Sequence, residues 1–402
     1  MNSSNLIIFV ILMAGISSLN PVAVDTFLPA VPAIAQSLSV ETSTIGITLG
    51  IFTIGNAIGQ ITLGPMSDRF GRKPVVVLGL SLFIIAALFA PYCTNIETLS
   101  LTRLVQGIGG AAGRILSVAI VRDLYSHEKA ARILSNIWTV STIMPILNPF
   151  IGGFLLTYYS WTSVFVYMSS FGLVLILLAI FGFKETIREI DQEALEFKSI
   201  VVNIKSIVSN RTYIYYTLIA SLSVSSLYAF LSISPDLLIT QLQQEPSTYA
   251  WQFAIVMCGS MIGSFISSQI SVRLGINKII GIGVAITTIA GSTSFVLAYN
   301  GFFTPLTIII PYFVQRIGEN ILTPQAMAGA VTPFPEKAGL ASSILGCFRQ
   351  LCGATVAILI SYLSDGTPIS MATAFFLAGT IPATIFILGS LRNNKHQISN
   401  NK

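Results

Sequence analysis

Long apolar runs follow one another along nearly the whole chain, separated by short polar segments. A helical run of about 20 apolar residues spans the hydrocarbon core of a bilayer. Backbone groups in lipid must be satisfied within the structure, and no alternating strand pattern is present, so each run predicts a helix. The pattern predicts twelve membrane spans, numbered 1 to 12, at residues 6–31, 43–64, 74–93, 98–121, 133–156, 161–183, 212–235, 248–270, 278–299, 304–331, 338–363 and 368–391.

The composition agrees with this pattern, since 53% of the 402 residues are hydrophobic, only 9% are charged and the mean hydropathy is +0.80. Soluble domains carry about 25% charged residues. An all-α integral membrane protein is therefore expected. The four cysteines lie in or beside spans without CxxC spacing, and there are only two histidines, so we expect neither a disulfide nor a metal site.

The basic residues predict the orientation of the chain. All Lys and Arg of the predicted loops and of the C-terminal tail fall on one side if the N-terminus is cytoplasmic. The other four are Arg103, Arg114, Arg316 and Arg349, which fall inside spans. Both termini should then be cytoplasmic. The pI near 9.0 reflects this topology, so nucleic acid is not expected as a partner.

Internal similarity indicates a duplication. The sequence LVQGIGG from Leu104 returns as FVQRIGE from Phe313, EKAA from Glu128 returns as EKAG from Glu336, and Arg69/Gly71 has a counterpart in Arg273/Gly275. The offsets of 209, 208 and 204 residues are nearly equal. We expect two pseudo-symmetric six-helix bundles with a substrate site between them near the membrane midplane. The predicted domains are residues 1–183, a cytoplasmic middle loop 184–211, residues 212–391 and a cytoplasmic tail 392–402.

The loop between spans 2 and 3, GPMSDRFGRK, concentrates charge between two apolar runs. Gly71 would permit a tight reversal, while Arg69, Arg72 and Lys73 would hold the loop at the anionic inner leaflet. A basic loop that only fixes the topology is the alternative.

Charges predicted within spans are functional candidates, because each costs free energy in the membrane. They are Asp25, Arg103, Arg114, Arg316, Glu319 and Arg349. One stripe of span 4 carries Arg103, Gly107, Gly110 and Arg114. The two glycines in the middle of the stripe could admit a substrate or pack against a neighbouring helix. Arg316 and Glu319 are three residues apart and should face one another or a cavity.

Asp25 follows the Asn20-Pro21 break and lies towards the outer half of span 1. Its carboxyl group could take up a proton from outside and release it inside. A static partner for an arginine is the alternative.

At these residues the chain resembles the major facilitator superfamily, and within it the drug:proton antiporters of the bicyclomycin/chloramphenicol resistance group. The similarity covers nearly the whole chain through GPMSDRFGRK, RLVQG from Arg103, PILNPFIGG from Pro145 and DTFLPAVPAIA from Asp25. It implies the twelve-helix fold of that superfamily. It also implies that Asp68 contacts the start of span 11 near Ala338 and holds one side of the transporter closed.

The resemblance further implies that Arg103 takes part in proton coupling and that Gly64 belongs to the gating loop. It identifies Pro145, Pro149, Gly152 and Gly153 as the span 5 antiporter motif, whose bend is compatible with either direction of transport. The chain departs from the family at Arg316, Glu319 and Arg349, and Arg114 lies one turn before Val118, where relatives tend to carry Arg. Extra arginines would suit an anionic solute.

The leading expectation is proton-coupled efflux of small molecules across a bacterial inner membrane by a monomer, with the proton gradient in place of a cofactor. The alternative is a metabolite or siderophore transporter for an anionic solute, possibly an importer. A membrane enzyme is not expected, because the sequence has no HExxH, GxSxG or P-loop motif and no histidine within a span.

Overall fold

The computed structural model of the protein describes residues 3–187, 190 and 204–400. Every regular element in these ranges is helical. Three basic residues used to predict the orientation, Arg188, Lys198 and Lys402, lie outside the described residues. The chain divides into two compact units, of which the first comprises the described residues up to 190 together with Gln243–Ala254.

The first unit is built mainly from nine α-helices. They are α1 (Ser3–Ser17), α2 (Leu19–Asp25), α3 (Val31–Leu38), α4 (Thr42–Phe70), α5 (Arg72–Phe89), α6 (Ile96–Leu124), α7 (His127–Ser141), α8 (Met144–Tyr158) and α9 (Thr162–Gly182). A 3-10 turn, Leu28–Ala30, joins α2 to α3, and another, Ala90–Tyr92, follows α5. Helix α6 packs against both α4 and α5.

The second unit comprises residues from 204 to Leu242 and from Ile255 onward. Its helices are α10 (Arg211–Ser223), α11 (Ser225–Pro235), α12 (Pro246–Leu274), α13 (Ile276–Tyr299), α14 (Pro305–Val331), α15 (Ala338–Tyr362) and α16 (Ile369–Asn400). A π-helical segment, Asp236–Gln241, continues α11. The first turns of α12 group with the first unit, and α16 continues beyond residue 391. The domain boundaries taken from the sequence stay predictions.

Eleven of the predicted spans are found as helices long and apolar enough to cross a membrane, if the bent pair α1 and α2–α3 is one span. The remaining predicted span is α14, a helix of 27 residues. It is less apolar than the others because it carries amides and charges, among them Gln315, Arg316, Glu319 and Asn320. The multi-span helical membrane fold is confirmed, while the count of twelve and the side of the termini stay predictions.

Several spans are interrupted, and prolines explain two of the breaks. The chain bends by 44° between α1 and α2, where Pro21 cannot donate a backbone hydrogen bond. Span 5 is interrupted between α7 and α8, and Pro145 occupies the first turn of α8. These breaks set the direction of the segments that carry Asp25 and the predicted span 5 motif.

The internal repeat is visible in the helix contacts of the two units. In the first, a Cβ added to Gly55 of α4 would lie 2.1 Å from the carbonyl oxygen of Leu104 on α6. In the second, a Cβ on Gly259 of α12 would lie 2.7 Å from that of Phe313 on α14. Leu104 and Phe313 are repeat counterparts. Both units therefore use glycine for the same close helix contact.

The loops after α4 and α12 also correspond. Gly71 has φ 101° and Gly275 has φ 73°, a region that favours glycine because it lacks a Cβ. Each glycine separates two helices by a single residue. The tight reversal expected at Gly71 is present, and it recurs at the position that the repeat marked.

Candidate functional site

Arg103 of α6 is fully buried and is held largely by aromatic rings. Its guanidinium carbon lies 4.5 Å from the ring centre of Phe27 and 4.6 Å from that of Phe52. Its Nη1 donates to the carbonyl oxygen of Ala23 at 3.0 Å and to Oε1 of Gln106 at 2.6 Å. Buried cation–π contacts are worth about 2 kcal/mol, so the rings partly replace the water that Arg103 has lost.

The Arg103 guanidinium keeps unused hydrogen-bonding capacity. Its Nε and Nη2 atoms are buried and have no hydrogen-bond partner. A buried donor without a partner costs about 1–3 kcal/mol, more when it is charged. Arg103 can therefore donate further hydrogen bonds from Nε and Nη2.

Asp25 ends α2, two residues after the carbonyl that Arg103 contacts, and its side chain is 7% exposed. Asp25 takes part in none of the ion pairs found among the described residues. The alternative in which Asp25 is a static partner of an arginine therefore does not match the geometry. A buried carboxyl group without a counter-ion is suited to exist in its neutral form.

The stripe on α6 has a packed middle. A Cβ on Gly107 would lie 2.0 Å from the carbonyl oxygen of Phe52, and one on Gly110 would lie 2.7 Å from Oδ1 of Asn20. Neighbouring helices fill this space, which agrees with the packing alternative. Arg114 at the end of the stripe is exposed and lies 4.9 Å from the ring of Trp138.

Arg316 and Glu319 face one another on α14, as their spacing predicts. Nη1 of Arg316 lies 2.5 Å from Oε2 of Glu319, and both side chains are buried. Ser226 of α11 donates to Glu319, and Nε of Arg316 donates to Ser260 of α12 at 3.0 Å. By the repeat, this pair occupies the positions of Gly107 and Gly110. The second unit thus holds a polar cluster where the first holds a close helix contact.

Arg349 of α15 is half-buried and donates to Sδ of Met327 at 3.3 Å. The sequence interpretation missed a further acid, Asp236, because the predicted span 7 ended at residue 235. Asp236 begins the π-helical segment and is 5% exposed. The signal that could have found it is the apolar run that continues through Leu237 and Leu238.

The loop between α4 and α5 is organised by Arg72. Its guanidinium pairs with Asp68 one turn earlier, and Nε contacts Oδ2 of Asp123 on α6 at 2.9 Å. Nη1 also donates to Ser67 at 2.6 Å. Arg72 therefore joins α4, α5 and α6. Of the other predicted loop residues, Lys73 donates to the carbonyl oxygen of Ile180 at 2.6 Å, and Arg69 lies in the last turn of α4. A Cβ on Gly64 would make only an ordinary contact, 3.9 Å from Ile115.

Glu185, which follows α9, was not predicted as a site residue. Its carboxylate accepts from the backbone N–H groups of Arg72 and Lys73, each at 3.0 Å, at the first turn of α5. Partial burial alone would raise its pKa, but hydrogen bonds from the N–H groups of Ile187, Arg72, Lys73 and Thr186 lower the pKa below its usual value. Glu185 acts as an N-cap supplied by a distant helix end.

The predicted span 5 motif lies on α8 beside the break. Pro149 is inside the helix and buried. A Cβ on Gly152 would lie 2.4 Å from the carbonyl oxygen of Thr26, next to Asp25, and one on Gly153 would lie 3.3 Å from that of Pro246. Gly152 therefore brings α8 against the segment that carries Asp25, while Gly153 faces the first turn of α12.

The chain matches the family model described as Major Facilitator Superfamily over residues 13–293 and 218–402. It is 28% identical over 390 residues to a Bicyclomycin resistance protein homolog of Haemophilus influenzae, covering 96% of this chain and 97% of the relative. It is 30% identical over 392 residues to Multidrug resistance protein MdtL of Shigella flexneri, covering 94% and 95%.

Solved structures agree on the fold. A bacterial homolog of the human lysosomal transporter Spinster superposes with a TM-score of 0.76 at 15% identity, covering 97% of this chain and 98% of that one. A D-xylose-proton symporter gives 0.73 at 14% identity, covering 94% and 97%.

The chain therefore belongs to the major facilitator superfamily. It is a multi-pass transporter of the bacterial inner membrane, not an enzyme, and the expected resemblance to the bicyclomycin resistance group is confirmed.

Proposed function

We propose that this transporter exports small molecules across the inner membrane in exchange for protons. The observation that carries the proposal is Asp25, a buried carboxyl group without an ion-pair partner in the described chain. It lies two residues from the carbonyl that holds Arg103. Relatives over nearly the full length have names that refer to bicyclomycin and multidrug resistance, which supports export.

In the proposed cycle Asp25 is the proton carrier. When neutral, it can remain in its buried position without a counter-ion. When it loses the proton, its negative charge is attracted to the unused donors of Arg103. This attraction would move α2 towards α6. The segment that follows α2 packs closely against Gly152 of α8, so it would slide along α8 during this movement.

The energetic demand is modest and needs no cofactor other than the proton gradient. One proton that crosses about 100 mV supplies about 2.3 kcal/mol. A tenfold gradient of a neutral solute requires about 1.4 kcal/mol. One electrogenic proton could therefore maintain a gradient somewhat below a hundredfold.

The alternative of an anionic solute depended on a surplus of arginines. Glu319 neutralises Arg316. Arg114 stacks on Trp138 and is exposed. The surplus that favoured this alternative is therefore smaller than the sequence indicated, and efflux is the function that we advance.

The test compares Asp25→Asn with Asp365→Asn, a matched change in the exposed loop before α16. A solute that stabilises the purified protein in a thermal-shift screen is followed in proteoliposomes under pH gradients of either sign. We expect wild type and Asp365→Asn to move the solute against the proton flux. Asp25→Asn should bind the solute and lose pH-driven transport.

Two results would contradict the proposal. If wild type moves the solute in the same direction as the protons, exchange is wrong. If Asp25→Asn retains proton coupling, Asp25 is not the carrier.

A further inference from the structure

Asn148 of α8 is a fully buried amide that adds no hydrogen bond to the packing of the helices. Neither its Oδ1 nor its Nδ2 atom has a hydrogen-bond partner among the described residues. A buried polar group without a partner is costly, and a leucine of similar volume would avoid that cost. Helix packing therefore does not account for an asparagine at this position.

Asn148 lies on the face of α8 that packs against the segment carrying Asp25. It precedes Gly152 by four residues, which is one helical turn. A Cβ on Gly152 would lie 2.4 Å from the carbonyl oxygen of Thr26, the residue after Asp25. Asn148 and Gly152 are both buried, whereas Leu147 between them and the preceding turn is exposed. The amide is thus on the side of α8 that faces the end of α2.

Thr26 is a second polar side chain of this kind. It follows α2, is fully buried, and its Oγ1 atom has no hydrogen-bond partner in the described part of the chain. Other buried threonines return the hydroxyl group to their own helix, as Thr48 and Thr53 of α4 do. Two buried polar side chains therefore border the contact between α2 and α8, beside Asp25.

Together, Asn148, Thr26 and Asp25 offer both donors and acceptors. An amide and a hydroxyl each donate and accept, and so does a neutral carboxyl group. A buried water molecule makes about three hydrogen bonds to such groups in proteins. Polar groups that are too far apart for a direct hydrogen bond are commonly joined by one water. The three side chains match the requirements of an internal water position.

A water at this position would do what Arg103 cannot do for Asp25. A guanidinium group only donates hydrogen bonds and keeps its protons, so it can attract the charged form of Asp25 but cannot accept its proton. Water both accepts and donates. It would therefore give the buried carboxyl group a partner for proton transfer.

The neighbouring prolines of α8 extend polar groups away from Asn148. Pro149 has no N–H, so the carbonyl oxygen of Pro145, one turn earlier, receives no helical hydrogen bond from it. Such carbonyl groups in membrane helices are met by water or by neighbouring side chains. Beyond Pro145 lies the break between α7 and α8, where Thr142 is exposed. Polar groups thus continue along span 5 from the buried amide to an exposed position.

We propose that Asn148 and Thr26 hold an internal water molecule beside Asp25, and that the Asp25 carboxyl group exchanges its proton through this water. The inference rests on the proposed proton exchange and adds Asn148 as a positioning residue on span 5. Without the amide, Asp25 would still bind a proton, but the proton would leave slowly because the pocket would lack an acceptor.

The first test is infrared spectroscopy of the purified full chain in detergent. The C=O stretching band of protonated Asp25 is identified by its absence in Asp25→Asn. A hydrogen bond to the carboxyl group lowers the frequency of this band, so Asn148→Leu should shift it to higher wavenumber. The matched control is Gln315→Met, at a fully buried amide of α14 that donates to the carbonyl oxygen of Phe375 at 3.1 Å. This control should leave the band in place.

The second test is transport in proteoliposomes with the solute found by thermal shift. Asn148→Leu should slow pH-driven transport about tenfold and retain the exchange of labelled for unlabelled solute, which moves no net proton. A defect in helix packing would slow both. Asn148→Ser, which keeps a donor and an acceptor, should restore pH-driven transport.

Three results would overturn the water position: an unshifted Asp25 band in Asn148→Leu, no band that depends on Asp25, or equal slowing of both kinds of transport. The infrared test involves no transport. If wild type moves the solute together with protons, the proposed exchange is wrong, while the band shift of Asn148→Leu remains an independent result.

Discussion

At the scale of single residues, the environment of a charge decides its role more than its position in the sequence does. The sequence placed Arg103, Arg316 and Arg349 together as arginines inside spans. The structure gives them different surroundings: two aromatic rings for Arg103, a glutamate for Arg316 and a methionine for Arg349. The glutamate beside Arg316 lies on the same helix and follows from the spacing of the two residues. The partners of Arg103 and Arg349 come from other elements, so a reading of one helix at a time could not predict them.

Glu185 gives a prediction about pH at this scale. Because its folded pKa lies below the usual glutamate value of about 4.3, the carboxylate stabilises the fold above that value. The stabilisation is lost as the pH falls through the lowered pKa. Glu185→Gln should cost about 1 kcal/mol near neutral pH, as loss of an N-cap does.

The measurement is the apparent melting temperature of purified wild type and Glu185→Gln from pH 7 downward. The two curves should converge under acidic conditions. Glu336→Gln, in the segment before α15, is the control and should follow wild type throughout. A Glu185→Gln difference that does not change with pH would show that the carboxylate charge has no part in the cap.

At the scale of elements, the closest helix contacts depend on glycine. Gly107 leaves no room for a methyl group, since a Cβ there would lie 2.0 Å from a backbone oxygen of α4. Gly64, in the same helix pair, would place its Cβ no closer than 3.9 Å to Ile115. The sequence predicted small residues on α6 but could not tell a substrate path from a helix contact, because glycine serves both.

Gly107→Ala should therefore destabilise the protein by about 1–3 kcal/mol, as overpacking does. Gly64→Ala, the control, should be neutral or slightly stabilising, because alanine is the better helix former. The measurement is the apparent melting temperature of each variant in detergent. If Gly107→Ala is as stable as wild type, the α4–α6 contact yields more easily than its geometry indicates.

At the scale of the whole molecule, the succession of long apolar runs was enough to predict the helical membrane fold and the position of most spans. It was less informative at α14, where polar residues lower the hydropathy, and at the breaks beside Pro21 and Pro145. The contacts of Asn56 with Asn20 and of Glu185 with α5 depend on tertiary structure, whereas the contact of Gln60 with Asn56 lies within α4. Only the four-residue spacing of the two amides in an apolar run was available from the sequence.

The predicted orientation belongs to this scale and can be tested with two cysteine variants in a background that lacks the four native cysteines. Thr94→Cys lies in the loop before α6, and Ser126→Cys lies in the loop after it; both positions are exposed. An impermeant maleimide added to intact cells should label Thr94→Cys only. Ser126→Cys should react after the membrane is permeabilised, and the reverse pattern would place the N-terminus outside.

The paired glycine contacts of the two units bear on how the protein could have diverged after duplication. Gly55 and Gly259 make equivalent contacts, while Gly107 and Gly110 correspond to Arg316 and Glu319. The second unit could thus carry an ion pair on α14 while it kept the close contact between Gly259 of α12 and Phe313 of α14. The helix contact that the two units share is thus independent of whether the neighbouring positions hold glycines, as at Gly107 and Gly110, or an ion pair, as at Arg316 and Glu319.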